Sequence, residues 1–142
     1  MGYKPIFLDD NNPQAAGKCA DFTKYKVPTI PAFGDNELRL SWCKKIKAAG
    51  VELPTLIHPT AYISPKAVIG EGCVVLPKAC VNTDVEIDSG CIINLGAIID
   101  HGCRIEEACH LCIGAIVKGE NRIKRLSKVE AGEVIQVRQN MI

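Results

Sequence analysis

What the 142-residue chain lacks narrows its identity before any motif is found. No apolar run approaches the roughly 18 residues that span a membrane. Charge of one sign is not in excess: 17 Lys+Arg stand against 16 Asp+Glu, a net charge of +1. A nucleic-acid module normally shows a basic surplus, so that class is disfavoured. The start, Met1-Gly2-Tyr3-Lys4-Pro5, has no basic-then-apolar secretory pattern, and Ile6 breaks the myristoylation signal. These absences lead to the expectation of a cytoplasmic protein with neither a membrane nor a nucleic acid as partner. Aromatics are few: three Phe, three Tyr and one Trp, none beyond Tyr62. Residues 63–142 therefore need a core without rings.

Cysteine is plentiful, with eight residues. A disulfide scaffold is not expected in a chain long enough to bury a core and read as cytoplasmic. Cys109 and Cys112 are three apart but stand alone, without the partners a zinc site requires. No metal site is expected.

The rest of the chain repeats every six residues. Stepping from Ile57 through Ile63, Ile69, Val75, Val81, Ile87, Ile93, Ile99, Ile105, Leu111, Val117, Ile123 and Val129 to Ile135, every position is aliphatic. Four residues after each comes a mostly small one: Ala61, Ala67, Cys73, Ala79, Val85, Cys91, Ala97, Cys103, Cys109 and Ala115, with Asn121, Ser127 and Glu133 departing at the end. The place before it often holds glycine, as at Gly72, Gly90, Gly96, Gly102, Gly114 and Gly132, which suits a turn needing positive φ. A period of six fits neither a helix nor a heptad. Three short strands per eighteen residues close a triangular coil, and coils stack as parallel sheets roughly 4.8 Å apart. Cys73, Cys91 and Cys109, eighteen apart, should then form one inward column in which the thiol is a small core filler.

Upstream, Lys4–Leu8 reads as a strand, Asp9–Pro13 as a turn and Val27–Phe33 as a second extended stretch. Asp35 caps a helix whose apolar face is Leu38, Trp42, Ile46 and Ala49, stopped by Gly50. The expected organisation is a partial α/β segment, 1–54, followed by a β-helix, 55–142.

The six-residue period, the run Asp100-His101-Gly102-Cys103, His110, Gly114, Phe7-Leu8-Asp9-Asp10 and Gly34-Asp35-Asn36 resemble the sialic-acid O-acetyltransferase and UDP-sugar N-acetyltransferase family of hexapeptide-repeat enzymes. The resemblance implies a mainly β fold: a left-handed parallel β-helix after a small, partial Rossmann-like segment that binds a nucleotide-sugar. It implies a homotrimer that binds acetyl-CoA between neighbouring β-helices and moves the acetyl group to an amine or hydroxyl of a sugar or nucleotide-sugar. By the same resemblance His101 is the general base, a role an imidazole suits near neutral pH. His110 and Gly114 meet the acetyl end of the cofactor, the latter through its amide. Asp9, Asp10, Gly34 and Asn36 belong to the sugar pocket.

The chain departs from that family at three places. Gly102 stands where an acidic residue usually follows the histidine, with Asp100 as a candidate substitute. A glycine-rich phosphate turn is not found at the start, and further C-terminal coils are not found at the end. The basic cluster Lys118, Arg122, Lys124, Arg125 and Lys128 either meets the phosphates of CoA or forms a solvated face. Two alternatives follow. One is a zinc lyase of the γ-carbonic-anhydrase type, disfavoured because His101 and His110 are nine apart, half a coil. The other is a noncatalytic, shortened trimeric scaffold or ligand-binding protein. Outward Val68, Val74, Ile92, Ile98 and Ile116 are apolar, which motivates self-association.

Overall fold

The computed structural model describes residues 4–137. From Leu56 onward the chain winds as a parallel β-helix of two-residue strands, each contributing one rung to one of three faces. The first face stacks β1 (Leu56–Ile57), β4 (Val74–Val75), β7 (Ile92–Ile93), β10 (His110–Leu111) and β13 (Lys128–Val129). The second stacks β2 (Tyr62–Ile63), β5 (Cys80–Val81), β8 (Ile98–Ile99), β11 (Ile116–Val117) and β14 (Val134–Ile135). The third holds β3 (Val68–Ile69), β6 (Glu86–Ile87), β9 (Arg104–Ile105) and β12 (Arg122–Ile123). Every rung pairs in register with the rung eighteen residues away, as in Ile98↔Ile116 and Glu86↔Arg104.

The expected core is the observed one except at the first rung, where Ile57 has no coil above it and is exposed. The aliphatic series and the small series point inward together, with Val81, Ile93, Ile99, Ile105, Leu111 and Val117 fully buried beside Cys73, Ala97 and Cys109. The corners explain why glycine is frequent without being obligatory. The slot before each small residue, from Gly72 to Gly132, is in the left-handed region whether glycine fills it or Lys78, Asp84, Ala108, Glu120 or Leu126 does. At these corners the backbone ladder also continues, for example from the Gly102 N–H to the Thr83 carbonyl.

All eight cysteines are free. Three of the buried column donate to carbonyls fifteen residues on: Cys73 Sγ to Asp88 O at 3.1 Å, Cys91 Sγ to Glu106 O at 3.1 Å and Cys109 Sγ to Lys124 O at 3.0 Å. Asn121, a departure in the sequence pattern, follows the same rule, its amide donating to Gln136 O at 2.7 Å and to Lys118 O at 2.8 Å. Glu133 instead turns its carboxylate to the Glu130 N–H at 2.7 Å.

The upstream segment has its helix but not its sheet. The Lys4–Leu8 strand reduces to a single bridge, Leu8↔Gly17, and Val27–Phe33 has no ladder partner. Pro28 and Pro31 remove two amide donors there, and the stretch is held by Thr29 N–H to Glu52 O at 2.9 Å and by the Phe33 carbonyl, which accepts from Arg39 at 2.9 Å. The α-helix α1 (Asn36–Ala48) starts as expected, Asp35 accepting from Leu38 N–H at 2.7 Å, and Gly50 (φ 70°) ends it. Its buried face is Arg39, Leu40, Cys43 and Ile46; of the expected face Leu38, Trp42, Ile46 and Ala49 only Ile46 is buried, and Leu38 and Ala49 are exposed. Packing against the β-helix decides this. The helix lies along the corner between the third and first faces: Lys47 pairs with Glu71, Cys43 meets Gly90, Arg39 reaches Gly90 and Ala108, and Asn36 reaches Leu126. Trp42 faces the other way, into an aromatic group with Phe33 and Phe22, ring centroids 6.0 Å apart in each case.

Candidate active site

His101 is placed by the corner between the second and third faces. It directly precedes the left-handed residue Gly102, so its side chain is thrown outward, and it is exposed. Its backbone is held by Asp100, whose Oδ1 accepts from the His101 N–H at 2.7 Å and from the Asn82 amide at 2.9 Å. The His101 N–H foremost, then the Asn82 amide, hold the Asp100 carboxyl below the usual carboxylate range. Asp100 thus fixes the histidine main chain and makes no hydrogen bond to its ring. The carboxylates in the corner slot of Gly102 belong to the coils on either side, Asp84 and Glu120. Glu120 Cγ passes 3.7 Å from where a Gly102 side chain would begin.

His110 lies on the first face, in β10, between Ile92 and Lys128. Its Nε2 is 3.1 Å from the Asn94 amide. Burial lowers its imidazole pKa, and Arg39 and Lys128 lower it further, so the neutral ring is favoured. Gly114 occupies the corner between the first and second faces at φ 66°. Its N–H donates to Leu95 O at 2.9 Å, so in this structure that amide is engaged in the corner ladder. Nothing lies within 4 Å of where its side chain would be, so the corner is open. Within one chain, then, His101, His110 and Gly114 occupy two different corners and a face.

The residues expected in a sugar pocket are engaged within the chain. Asp9 Oδ1 accepts from the Asn11 N–H at 2.7 Å, and Asp10 Oδ1 from the Cys19 N–H at 2.9 Å. Asn36 donates to Leu126 O at 2.8 Å and accepts from Arg39 at 2.7 Å, while the Gly34 carbonyl accepts from Arg39 at 3.2 Å. The basic cluster is largely paired: Arg122 with Glu106, Arg125 with Glu107 at 3.8 Å, Lys128 with Glu130 at 3.2 Å, and Lys118 with Gln136 at 2.7 Å. That pairing is what a solvated face looks like. Among the described residues no group of three His, Cys, Asp or Glu could hold a metal, and His58 is taken up with Thr60 at 2.9 Å. Among the described residues no helix is long and apolar enough to cross a membrane.

Two features of this site were not read from the sequence. One is Asn82, detectable only by stepping back eighteen residues from Asp100. The other is Gly119, eighteen after His101 and outside the turn slot, where glycine needs a reason other than backbone conformation.

The likeness to known proteins is specific. No protein-family model matches the chain. Among solved structures, the acetyltransferase domain of PglB from Neisseria gonorrhoeae FA1090 is 32% identical with a TM-score of 0.87, covering 91% of this chain and 68% of that one. The same domain in complex with acetyl coenzyme A is 33% identical with a TM-score of 0.86, covering 91% and 67%. A mutant perosamine N-acetyltransferase from Caulobacter crescentus, in complex with CoA and GDP-perosamine, is 30% identical with a TM-score of 0.76, covering 86% and 69%. With the repeat, the parallel three-faced coil and this identity over two thirds of a relative's length, the chain belongs to the hexapeptide-repeat β-helix family of acetyltransferases.

Proposed function

We propose that this protein transfers the acetyl group of acetyl-CoA to an amine or hydroxyl of a sugar or nucleotide-sugar, with His101 as general base. The observation that carries the reading is the outward imidazole of His101, anchored through Asp100, in a chain 33% identical to a domain solved with acetyl coenzyme A. The imidazole takes the proton from the acceptor as its nitrogen or oxygen attacks the thioester carbonyl carbon. The carbon–sulfur bond then breaks, and CoA leaves as a thiol with that proton. The amino group of the perosamine relative's nucleotide-sugar supports an amine as the first acceptor to test.

We place the cofactor between neighbouring copies of a homotrimer of left-handed β-helices. The second face supports this: its outward column, Tyr62, Cys80, Ile98, Ile116 and Val134, is apolar throughout, with Tyr62 56% and Ile98 41% exposed. The His101 corner bounds that face on one side and the corner of Leu95, Ile113 and Gly114 on the other. A neighbour seated on it would bring the two corners, one from each copy, to a shared cleft. In that cleft His110 and the open corner at Gly114 would receive the acetyl end. Asp9, Asp10, Gly34 and Asn36 would act as the frame of the acceptor pocket through their backbone, the side chains of Asp9, Asp10 and Asn36 being engaged.

The test is mass-spectrometric detection of acetylated product, with acetyl-CoA and a panel of amino sugars and nucleotide-linked amino sugars, for the wild type and His101→Asn. Turnover lost in the variant while acetyl-CoA still binds is the expected result. Saturable acetyl-CoA binding with no turnover on any acceptor would favour a ligand-binding scaffold. Turnover unchanged in His101→Asn would remove the base assignment.

A further inference from the structure

Gly119 is a glycine without a backbone reason. Its φ is not in the left-handed region, whereas the next residue, Glu120, is left-handed at φ 61° and carries a full side chain. The reason lies in what covers it. A methyl group built on Gly119 would stand 2.6 Å from His101 Nε2, 2.8 Å from Cε1 and 3.1 Å from Cδ2. Side-chain carbons do not approach ring atoms that closely, so either the ring or the chain would have to move. Gly119 is buried although it sits on the outside of the coil, while His101 is exposed. The imidazole lies directly on the Gly119 main chain.

The other end of His101 is pinned as well. Asp100 accepts from its N–H at 2.7 Å, and Asn82 holds the same carboxylate at 2.9 Å from the coil before. The Glu120 N–H also donates to the His101 carbonyl at 2.9 Å. Three successive coils therefore each contribute a part: Asn82, then Asp100 with His101, then Gly119. Among the described residues the ring makes no hydrogen bond, which leaves its contact with Gly119 to fix where it stands.

We propose that Gly119 and Asp100 are positioning residues for His101: Asp100 clamps its backbone, and the missing side chain of Gly119 seats its ring. This rests on the reading of His101 as the base. A general base must stand within hydrogen-bond reach of the proton it removes, so a displaced seat costs rate even when the imidazole is intact.

Gly119→Ala is a clean probe, because the added methyl meets the ring while the backbone conformation is open to alanine. With histidine labelled in the full chain, proton and nitrogen resonances of the three imidazoles are followed through a pH titration, His101→Asn identifying the His101 signal. Gly119→Ala is expected to shift the His101 ring resonances while those of His58 and His110 stay in place. With an acceptor in hand, kcat should fall at least about tenfold and KM for acetyl-CoA should stay within about twofold. Asp100→Asn should also move the His101 signals, and it decides the matter if the alanine variant does not fold. Unmoved His101 resonances in a folded Gly119→Ala, or in Asp100→Asn when only that folds, would overturn the proposal. The resonances need no acceptor, so they separate the two readings. Turnover retained in His101→Asn removes the base and leaves the seat standing, whereas turnover lost there and unmoved rings in Gly119→Ala remove only the seat.

Discussion

Arg39 Nε donates to the carbonyl of Gly90 at 2.7 Å, across fifty-one residues of sequence and the whole boundary between helix and coil. The same guanidinium gives hydrogen bonds to Ala108 O at 2.9 Å and Phe33 O at 2.9 Å, and it is 1% exposed. Burial pulls its pKa down, yet a guanidinium stays charged at any physiological pH, so the main-chain carbonyls around it must supply the compensation. Arg39→Ala should therefore cost about 3 kcal/mol or more, because it leaves those carbonyls without donors. Denaturant unfolding would measure it, and limited proteolysis should cut first within residues 4–50. Arg39→Lys should recover only part of the loss, since a point charge cannot match the planar fork.

His110 makes stability depend on pH in a defined direction. Its imidazole pKa is lowered in the folded protein by burial, then by Arg39 and Lys128. A group depressed on folding favours the native state above its ordinary range and loses that contribution as pH falls through the lowered value. Melting temperature should therefore drop on acidification below about pH 6.5 more steeply in the wild type than in His110→Asn. Parallel curves for the two proteins would contradict this.

Thiol labelling should divide the cysteines sharply. Cys19 and Cys80 are partly exposed and the other six are buried. Burial raises the pKa values of the Cys43 and Cys103 thiols, and Cys91 is pushed up well beyond the ordinary range by its neighbours Cys109 and Cys73 and by burial. Native protein should react with a maleimide at Cys19 and Cys80 only, as peptide mass mapping would reveal. Because Cys80 lies on the apolar second face, slower labelling there at high protein concentration would follow from self-association.

Asn121→Ala should destabilise the coil by about 1–3 kcal/mol, since the buried Asn121 amide serves two carbonyls, of Lys118 and Gln136, which then lose it. Asn121→Ser, which keeps one donor, should lose less. Equal losses in the two variants would contradict the assigned role.

Ile98→Arg, or Ile116→Arg, places a charge in the middle of the second face. On the proposed trimer, either should yield monomers by light scattering, with acetyl-CoA binding lost in step, because the proposed shared cleft would be dismantled.

The coil was legible because its signal is periodic. A residue every six, small beside large, announces a narrow prism, and the inward set, the corners and the thiol column all follow from arithmetic on the sequence. The upstream segment was not, because its fold is imposed from outside. A helix wheel finds Leu38 and Trp42, but the docked side is chosen by carbonyls at Gly90 and Ala108, which no local pattern contains. The candidate site was half legible. His101 is conspicuous as a histidine on a corner, whereas the sequence does not reveal that Asp9 and Asp10 accept from main-chain amides at Asn11 and Cys19 or that Asn36 reaches Leu126 O on the coil. Gly119 acquires meaning only once the eighteen-residue stack puts it under a ring.

The helix on the corner also sets a length standard. Lys47, Cys43, Arg39 and Asn36 advance along α1 by about one turn per step, and their partners Glu71, Gly90, Ala108 and Leu126 climb the coil by one winding per step. A helical turn rises about 5.4 Å and a winding about 4.8 Å, so over three steps the two scales drift apart by only ~2 Å. The long, pliable ends of Lys47 and Asn36 can take up that drift. Each further winding would widen it, so a straight helix can shadow about four windings and no more. Removing one eighteen-residue winding from the stack should then be tolerated only when about four helix residues go with it, a pairing of deletions whose two halves lie far apart in the sequence.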